Sequence, residues 1–234
     1  MVIAFDLDDT LYEEMSFVRS GFRAVSAYLS DVYSVPTTDS FDLMMKSLER
    51  NGRGHIFDDV LSHFGAYSKK NIRRCISVYR QHFPDINLYP EADECLHRFE
   101  NYPLYIVTDG NILVQRNKLI ALGLYDRVRF CFLTHCYGKK NAKPSPYCLF
   151  LICKRENVRP EEVFYIGDNP EKDFVGIKRA GFKTIRILKG QYKDIVKSEE
   201  YEAEYIFNSL SELDFSQFKT LNKKINHSIR EERQ

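Results

Sequence analysis

The chain of 234 residues carries 34 basic and 33 acidic residues, and its net charge of +1 gives no reason to expect nucleic acid or an anionic membrane as partner. No apolar stretch approaches the ~18 residues of a membrane span. The short apolar run at the N-terminus leads into acidic residues without a basic leader, so we expect no signal peptide. The six cysteines form no CxxC pair, and we expect reduced, mostly buried thiols in a cytoplasmic protein.

The first stretch of the chain combines a short apolar run with a cluster of acids. Residues 2–5 are apolar and lead into Asp6, Asp8, Asp9 and Thr10. Such a run predicts a buried strand of a parallel sheet, and ligands of open α/β sheets bind beyond the carboxyl ends of the strands. Crowded carboxylates repel each other unless a cation lies between them, and oxygen ligands without His or Cys suit Mg²⁺. The same polar residues also fit a simple turn or helix cap, and this stretch alone leaves both interpretations open.

Helical periodicity dominates the next part of the chain. Across residues 15–83 apolar side chains recur every three or four positions, which predicts about four helices. The pattern breaks at residues 34–36 and again at residues 51–54. Apolar stripes of this kind usually form a core, so we assign them no chemistry.

An alternation of strands and helices resumes at Pro90. Helix starts are predicted at Ser145-Pro146 and Asn169-Pro170, and helix ends near Gly123 and at Gly181. Further strands are predicted at residues 104–107, 129–133, 163–166, 184–187 and, as a short edge strand, 205–207.

This alternation predicts an α/β fold with a doubly wound parallel sheet. The helical block is then an insertion after the first strand. We expect a sheet domain formed by residues 1–14 and 86–210, a helical domain of residues 15–85, and a C-terminal helix with a polar tail at residues 211–234.

Several chemically active side chains follow predicted strands or open predicted helices. In a parallel sheet these positions face one crevice. They are Asp6, Asp8, Thr108, Lys143, Asp168 and, one helical turn later, Asp173.

The acidic residues of this set suit phosphoryl transfer. Asp6 can act as a carboxylate nucleophile that forms an aspartyl-phosphate. Asp8 can protonate the leaving oxygen and later accept a proton from water. Asp168 can bind a metal ion that neutralises the phosphate, and Asp173 can bind the same ion or hold a water on it.

The remaining residues of the set suit phosphate binding. Thr108 offers a hydroxyl, and the amides of Asp109 and Gly110 lie near a predicted helix N-terminus. Lys143 supplies a fixed positive charge for the phosphoryl oxygens. Taken singly, each of these residues also fits an ordinary cap, turn or solvated side chain, and only their joint occurrence at strand ends favours a site.

The order of these motifs resembles the haloacid dehalogenase superfamily of hydrolases. The resemblance implies a Rossmann-like core, a C1-type helical cap formed by the insertion, and Mg²⁺ as cofactor. It implies that Asp6 is the nucleophile, and that Asp8 acts as acid and base and also binds the metal through its backbone carbonyl. It further implies that Thr108 and Lys143 bind the phosphate and that Asp168 binds the metal. The motifs are Asp6-Leu7-Asp8-Asp9-Thr10-Leu11-Tyr12, Thr108-Asp109-Gly110, Lys143-Pro144 and Gly167-Asp168-Asn169 with Asp173.

Within this superfamily the second aspartate of the first motif, Asp8 in this chain, distinguishes phosphatases from dehalogenases. Dehalogenases generally lack it, so Asp8 favours a phosphatase acting on a small phosphorylated metabolite such as a sugar phosphate or nucleotide. A phosphosugar mutase and a non-catalytic binding module that retains the fold are the alternatives. In the helical insertion, Arg53 and His55 are candidates to contact the substrate, although an exposed interhelical loop fits them equally well. The oligomeric state stays open.

Overall fold

The computed structural model describes residues 1–214 and contains a six-stranded, wholly parallel sheet. The strand order is β3-β2-β1-β4-β5-β6. The prediction of a doubly wound α/β sheet is therefore confirmed. The strands are β1 (Val2–Phe5), β2 (Leu104–Thr108), β3 (Phe130–Leu133), β4 (Val163–Gly167), β5 (Lys183–Ile187) and β6 (Tyr205–Phe207).

Eight helices accompany the strands within the described residues. The predicted C-terminal helix and tail span residues 211–234. Of these, residues 215–234 lie outside the described residues. None of the described helices combines the length and apolar character needed to cross a membrane. The helices are α1 (Glu14–Tyr33), α2 (Thr37–Asn51), α3 (Ile56–His63), α4 (Lys69–Gln81), α5 (Pro90–Arg98), α6 (Ile112–Ala121), α7 (Tyr147–Glu156) and α8 (Val175–Arg179).

Strand β1 lies in the middle of the sheet and is fully buried. Its last residue, Phe5, is level with Ile106 of β2 and with Ile166 of β4. The Asp6 N–H then donates to the carbonyl of Ile166 at 2.7 Å. Because all strands are parallel, Asp6, Thr108 and the residues that follow β4 emerge at the same edge of the sheet.

The described chain forms two compact units. The first contains residues 1–13, 87–112 and the chain from Gly123 onward, and it includes the sheet. The second contains residues 14–86 together with residues 113–122, which form most of α6. The assignment of residues 15–85 as a separate inserted domain stays a prediction.

The second unit has its own apolar core. Helix α1 packs against α2 and α4, and α3 packs against α2 and α4. The predicted set of four helices is confirmed, with breaks at Pro36 and at Gly52, where φ is +65°. The core consists of Val18, Phe22, Val25, Leu29, Val35, Met44, Ile56, Val60, Leu61 and Cys75.

Two predicted helix starts are wrong. Helix α7 begins at Tyr147, so Pro146 lies before the first helical residue, while the Ser145 hydroxyl accepts the Tyr147 N–H at 3.4 Å. Helix α8 begins only at Val175 rather than at Pro170. The segment after Asn169 turns back because the Asn169 side chain accepts a backbone N–H two residues later, which favours a turn over a helix.

Candidate active site

Three buried carboxylates meet at the carboxyl edge of the sheet. Asp6 follows β1, Asp168 follows β4, and Asp173 lies in the turn before α8. One carboxylate oxygen from each lies within 4.8 Å of the others. The residues are only 6%, 4% and 1% exposed, respectively. Such a close set of buried oxygen donors suits a hard divalent cation such as Mg²⁺.

The ammonium of Lys143 lies among these carboxylates. Its Nζ donates to Asp6 and, at 2.9 Å, to Oδ1 of Asp173. Burial alone would lower the pKa of Lys143, but the charges of Asp173 and Asp6 outweigh it and hold the pKa well above its usual value. Lys143 is therefore held in its charged form, and its role in binding phosphate stays a prediction.

One ammonium does not neutralise three carboxylates. Burial raises the pKa of Asp6 to about 7, against the opposing charge of Lys143 and with further repulsion from Asp173 and Asp8. Burial and the charges of Asp173 and Asp6 raise the pKa of Asp168 to about 10. The protein alone thus disfavours ionised carboxylates here, and a bound divalent cation would reverse this preference. The donor set therefore fits Mg²⁺.

Asp173 is held by three separate donors. Its Oδ1 accepts the hydroxyl of Tyr165 at 3.1 Å in addition to Lys143 Nζ, and its Oδ2 accepts the Asn169 N–H at 3.0 Å. These bonds fix the orientation of both carboxylate oxygens. The glycine at position 167 makes this possible, since an added Cβ there would lie 2.6 Å from Oδ2 of Asp173.

Asp8 and Asp9 extend the same loop but differ in environment. The Tyr12 hydroxyl donates to the half-buried carboxylate of Asp8. Asp8 is not a member of the three-carboxylate group, and its contact with a metal through the backbone carbonyl stays a prediction. Asp9 is buried and adopts a left-handed conformation with φ of +55°.

The residues after β2 carry the predicted phosphate donors and also support Lys143. Thr108 is the last residue of β2 and is buried. The carboxylate of Asp109 accepts the hydroxyl of Thr134 and the backbone N–H of Lys143, the latter at 3.2 Å. Asp109 thus anchors the loop that carries Lys143. The roles of Thr108 and of the amides of Asp109 and Gly110 on phosphate stay predictions.

Arg53 lies in the second unit, in a short turn between α2 and α3. Its guanidinium forms two bonds with the carboxylate of Glu14, at 2.8 and 2.7 Å. The Arg53 side chain is 57% exposed. The contact of Arg53 with substrate stays a prediction. In the structure its guanidinium is already paired with the carboxylate of Glu14.

Two buried residues near the site were not among the predicted site residues. Tyr165 holds Asp173, and Arg186 on β5 donates to the backbone carbonyl of Asp168 at 3.3 Å. A hydroxyl or a guanidinium at a buried strand position needs a polar partner. That is the signal by which the sequence could have identified both.

The fold and this site define a hydrolase of the haloacid dehalogenase class. The chain belongs to the haloacid dehalogenase-like hydrolase family, whose profile matches residues 1–181. A 2-haloacid dehalogenase structure from Pseudomonas syringae pv. Tomato shares the fold, with a TM-score of 0.61 and 19% identity, covering 96% of this chain and 99% of that one.

Curated relatives narrow the class of hydrolase. The chain is 33% identical to the glyceraldehyde 3-phosphate phosphatase of Methanocaldococcus jannaschii, over 90% of this chain and 94% of that protein. It is 29% identical to the enzyme of the same name from Methanopyrus kandleri, over 82% of this chain and 86% of that protein. Family and relatives together support the prediction of a phosphatase.

Proposed function

We propose that the protein is a Mg²⁺-dependent phosphatase that hydrolyses a small phosphorylated metabolite through an aspartyl-phosphate on Asp6. One observation carries the proposal: the buried ammonium of Lys143 lies between Asp6 and Asp173, beside Asp168. A fixed cation next to a carboxylate at the carboxyl edge of the sheet suits the binding of a phosphate dianion and its attack by that carboxylate.

Asp6, Asp168 and Asp173 are the residues that would hold the metal. Bound Mg²⁺ would neutralise negative charge on the phosphoryl group and orient it towards Asp6. The donor set supports this assignment because its three carboxylates outnumber the one ammonium within the group.

The chain's own residues supply the other parts of the reaction. The Asp6 carboxylate attacks phosphorus, the ester P–O bond breaks, and Asp8 gives its proton to the leaving oxygen. Asp8 then accepts a proton from the water that attacks the aspartyl-phosphate, which releases phosphate and restores Asp6. The hydroxyl of Tyr12 orients Asp8 for both steps. Thr108 and Lys143 hold the phosphoryl oxygens.

The names of the relatives suggest which metabolite to test first. Several of them are glyceraldehyde 3-phosphate phosphatases, at 27–33% identity over most of this chain. We propose a three-carbon phosphate ester of this kind as the preferred substrate. A larger sugar phosphate or a nucleotide is the broader alternative within the same reaction.

A phosphate-release screen tests the proposal. The purified chain is assayed with glyceraldehyde 3-phosphate, hexose phosphates, phosphoserine and nucleoside monophosphates, each with Mg²⁺ and with EDTA. We expect Mg²⁺-dependent release that is fastest for a triose phosphate. Asp6→Asn should abolish release, whereas Asp31→Asn, at an exposed aspartate of α1, should retain it. An isomerised sugar phosphate without free phosphate would instead identify a mutase.

A further inference from the structure

Arg186 occupies an unusual position for a charged residue. It lies on β5 between the buried residues Ile185 and Ile187, is only 2% exposed, and is level with Gly167 at the end of β4. Burying a guanidinium costs free energy unless its charge and its N–H groups are all partnered, and an apolar side chain would fill the same space at lower cost. Packing alone therefore does not explain an arginine at this position.

The partners of Arg186 join three separate segments of the first unit. Its Nε donates to the carbonyl of Asp168 at 3.3 Å, and its Nη1 donates to the carboxylate of Glu202 at 2.6 Å. Its Nη2 donates to the carbonyls of Tyr192 and Ile195 at 2.6 and 2.9 Å. Glu202 balances the charge, and the remaining bonds all go to the main chain.

The segment that Arg186 holds at Tyr192 also touches the loop of the nucleophile. Gly190 has φ of +60°, and an added Cβ there would lie 2.1 Å from Oδ2 of Asp9. The backbone of this segment thus lies directly against the Asp9 carboxylate. A single guanidinium is therefore bonded to the main chain of Asp168 and to a segment that packs on the loop after β1.

We propose that Arg186 is a positioning residue for the metal site, which holds the main chain of Asp168 so that its carboxylate stays beside those of Asp6 and Asp173. The proposal rests on the proposed function only in requiring that these carboxylates bind a divalent cation. Lysine cannot replace Arg186, because a single ammonium cannot reproduce donors at three nitrogens of a planar fork.

Calorimetric titration of the metal-free protein with Mg²⁺ tests this without relying on turnover. Removing a group that orients a metal ligand typically weakens metal binding by about 10- to 100-fold. We therefore expect Arg186→Lys and Arg186→Met to bind Mg²⁺ at least tenfold more weakly than the wild type. Urea unfolding of each variant, measured in parallel, reports the loss of stability.

Two controls separate positioning from a structural effect. Arg98→Met removes a guanidinium that likewise donates to three backbone carbonyls, those of Leu210, Ser211 and Leu213. Ile187→Ala truncates a buried side chain on the same strand as Arg186. Both should lower stability and keep the wild-type affinity for Mg²⁺.

Wild-type Mg²⁺ affinity in a folded Arg186 variant would overturn the proposal, as would equal weakening in the Ile187→Ala control. Absence of Mg²⁺ binding by the wild type would also overturn it. If Arg186→Met does not fold, Arg186→Lys provides the same comparison. Glu202→Gln provides it as well, because glutamine keeps an acceptor for Nη1 of Arg186 but removes the negative charge of Glu202. A wild type that binds Mg²⁺ but releases no phosphate would contradict the proposed function and leave this test valid.

Discussion

Replacing Lys143 with methionine tests the electrostatic balance of the site through stability. The Lys143 side chain is 4% exposed and that of Asp173 is 2% exposed, with 2.9 Å between Nζ and Oδ1. Removing one partner of a buried ion pair leaves an uncompensated charge and costs about 3–5 kcal/mol. The metal-free Lys143→Met variant should therefore lose about 3–5 kcal/mol of unfolding free energy.

Lys189 offers a matched control on the same unit. Its ammonium pairs with Glu91 at 2.6 Å, but the two side chains are 30% and 20% exposed. Because solvent screens such a pair, Lys189→Met should cost only about 0–1 kcal/mol. Urea unfolding in EDTA, followed by circular dichroism, measures both variants. Equal costs for the two lysines would refute the view that Lys143 balances a buried cluster of carboxylates.

Three further outcomes are expected. Tyr165→Phe removes a hydrogen bond to the Asp173 carboxylate, worth about 1.5–3 kcal/mol, and should lower kcat/KM by about tenfold or more. Tyr105→Phe removes the hydroxyl that donates to Glu156 and should leave kcat/KM unchanged. Equal effects of the two substitutions would contradict this expectation. Arg53→Ala should lower kcat/KM more for the preferred metabolite than for p-nitrophenyl phosphate, and equal losses would argue against substrate contact. Native thiol titration should show rapid reaction of Cys136 alone, since the other five cysteines are buried; a second rapid thiol would contradict this.

The sheet and the position of the acids followed from local sequence patterns. Residues 2–5 form a continuous apolar run, which is typical of a strand buried on both faces, and they form the central strand. Because every strand is parallel, the residues after β1, β2 and β4 had to share one edge. The positions of Asp6 and Asp168 as neighbours are therefore predictable from the sequence.

The contacts that organise the site were less accessible to sequence. Asn169-Pro170 has the composition of a helix start, yet the carboxylate of Asp173 accepts the Asn169 N–H and the segment forms a turn. Within their strands Tyr165 and Arg186 indicate only that a buried polar group needs a partner, and which partner each one has depends on other segments of the chain. Side-chain contacts between distant segments depend on register and loop path, which no local periodicity specifies.

If Asp6 is the nucleophile, a phosphorylated form of the enzyme must exist during turnover, and this species can be measured. Purified protein with Mg²⁺ and its preferred phosphate ester is quenched with acid within one turnover, digested, and analysed by mass spectrometry. We expect a phosphoryl group on the peptide that contains Asp6, and no phosphoryl group on that peptide in Asp6→Asn. Turnover with no phosphorylated peptide, or with the phosphoryl group on another residue, would contradict this expectation.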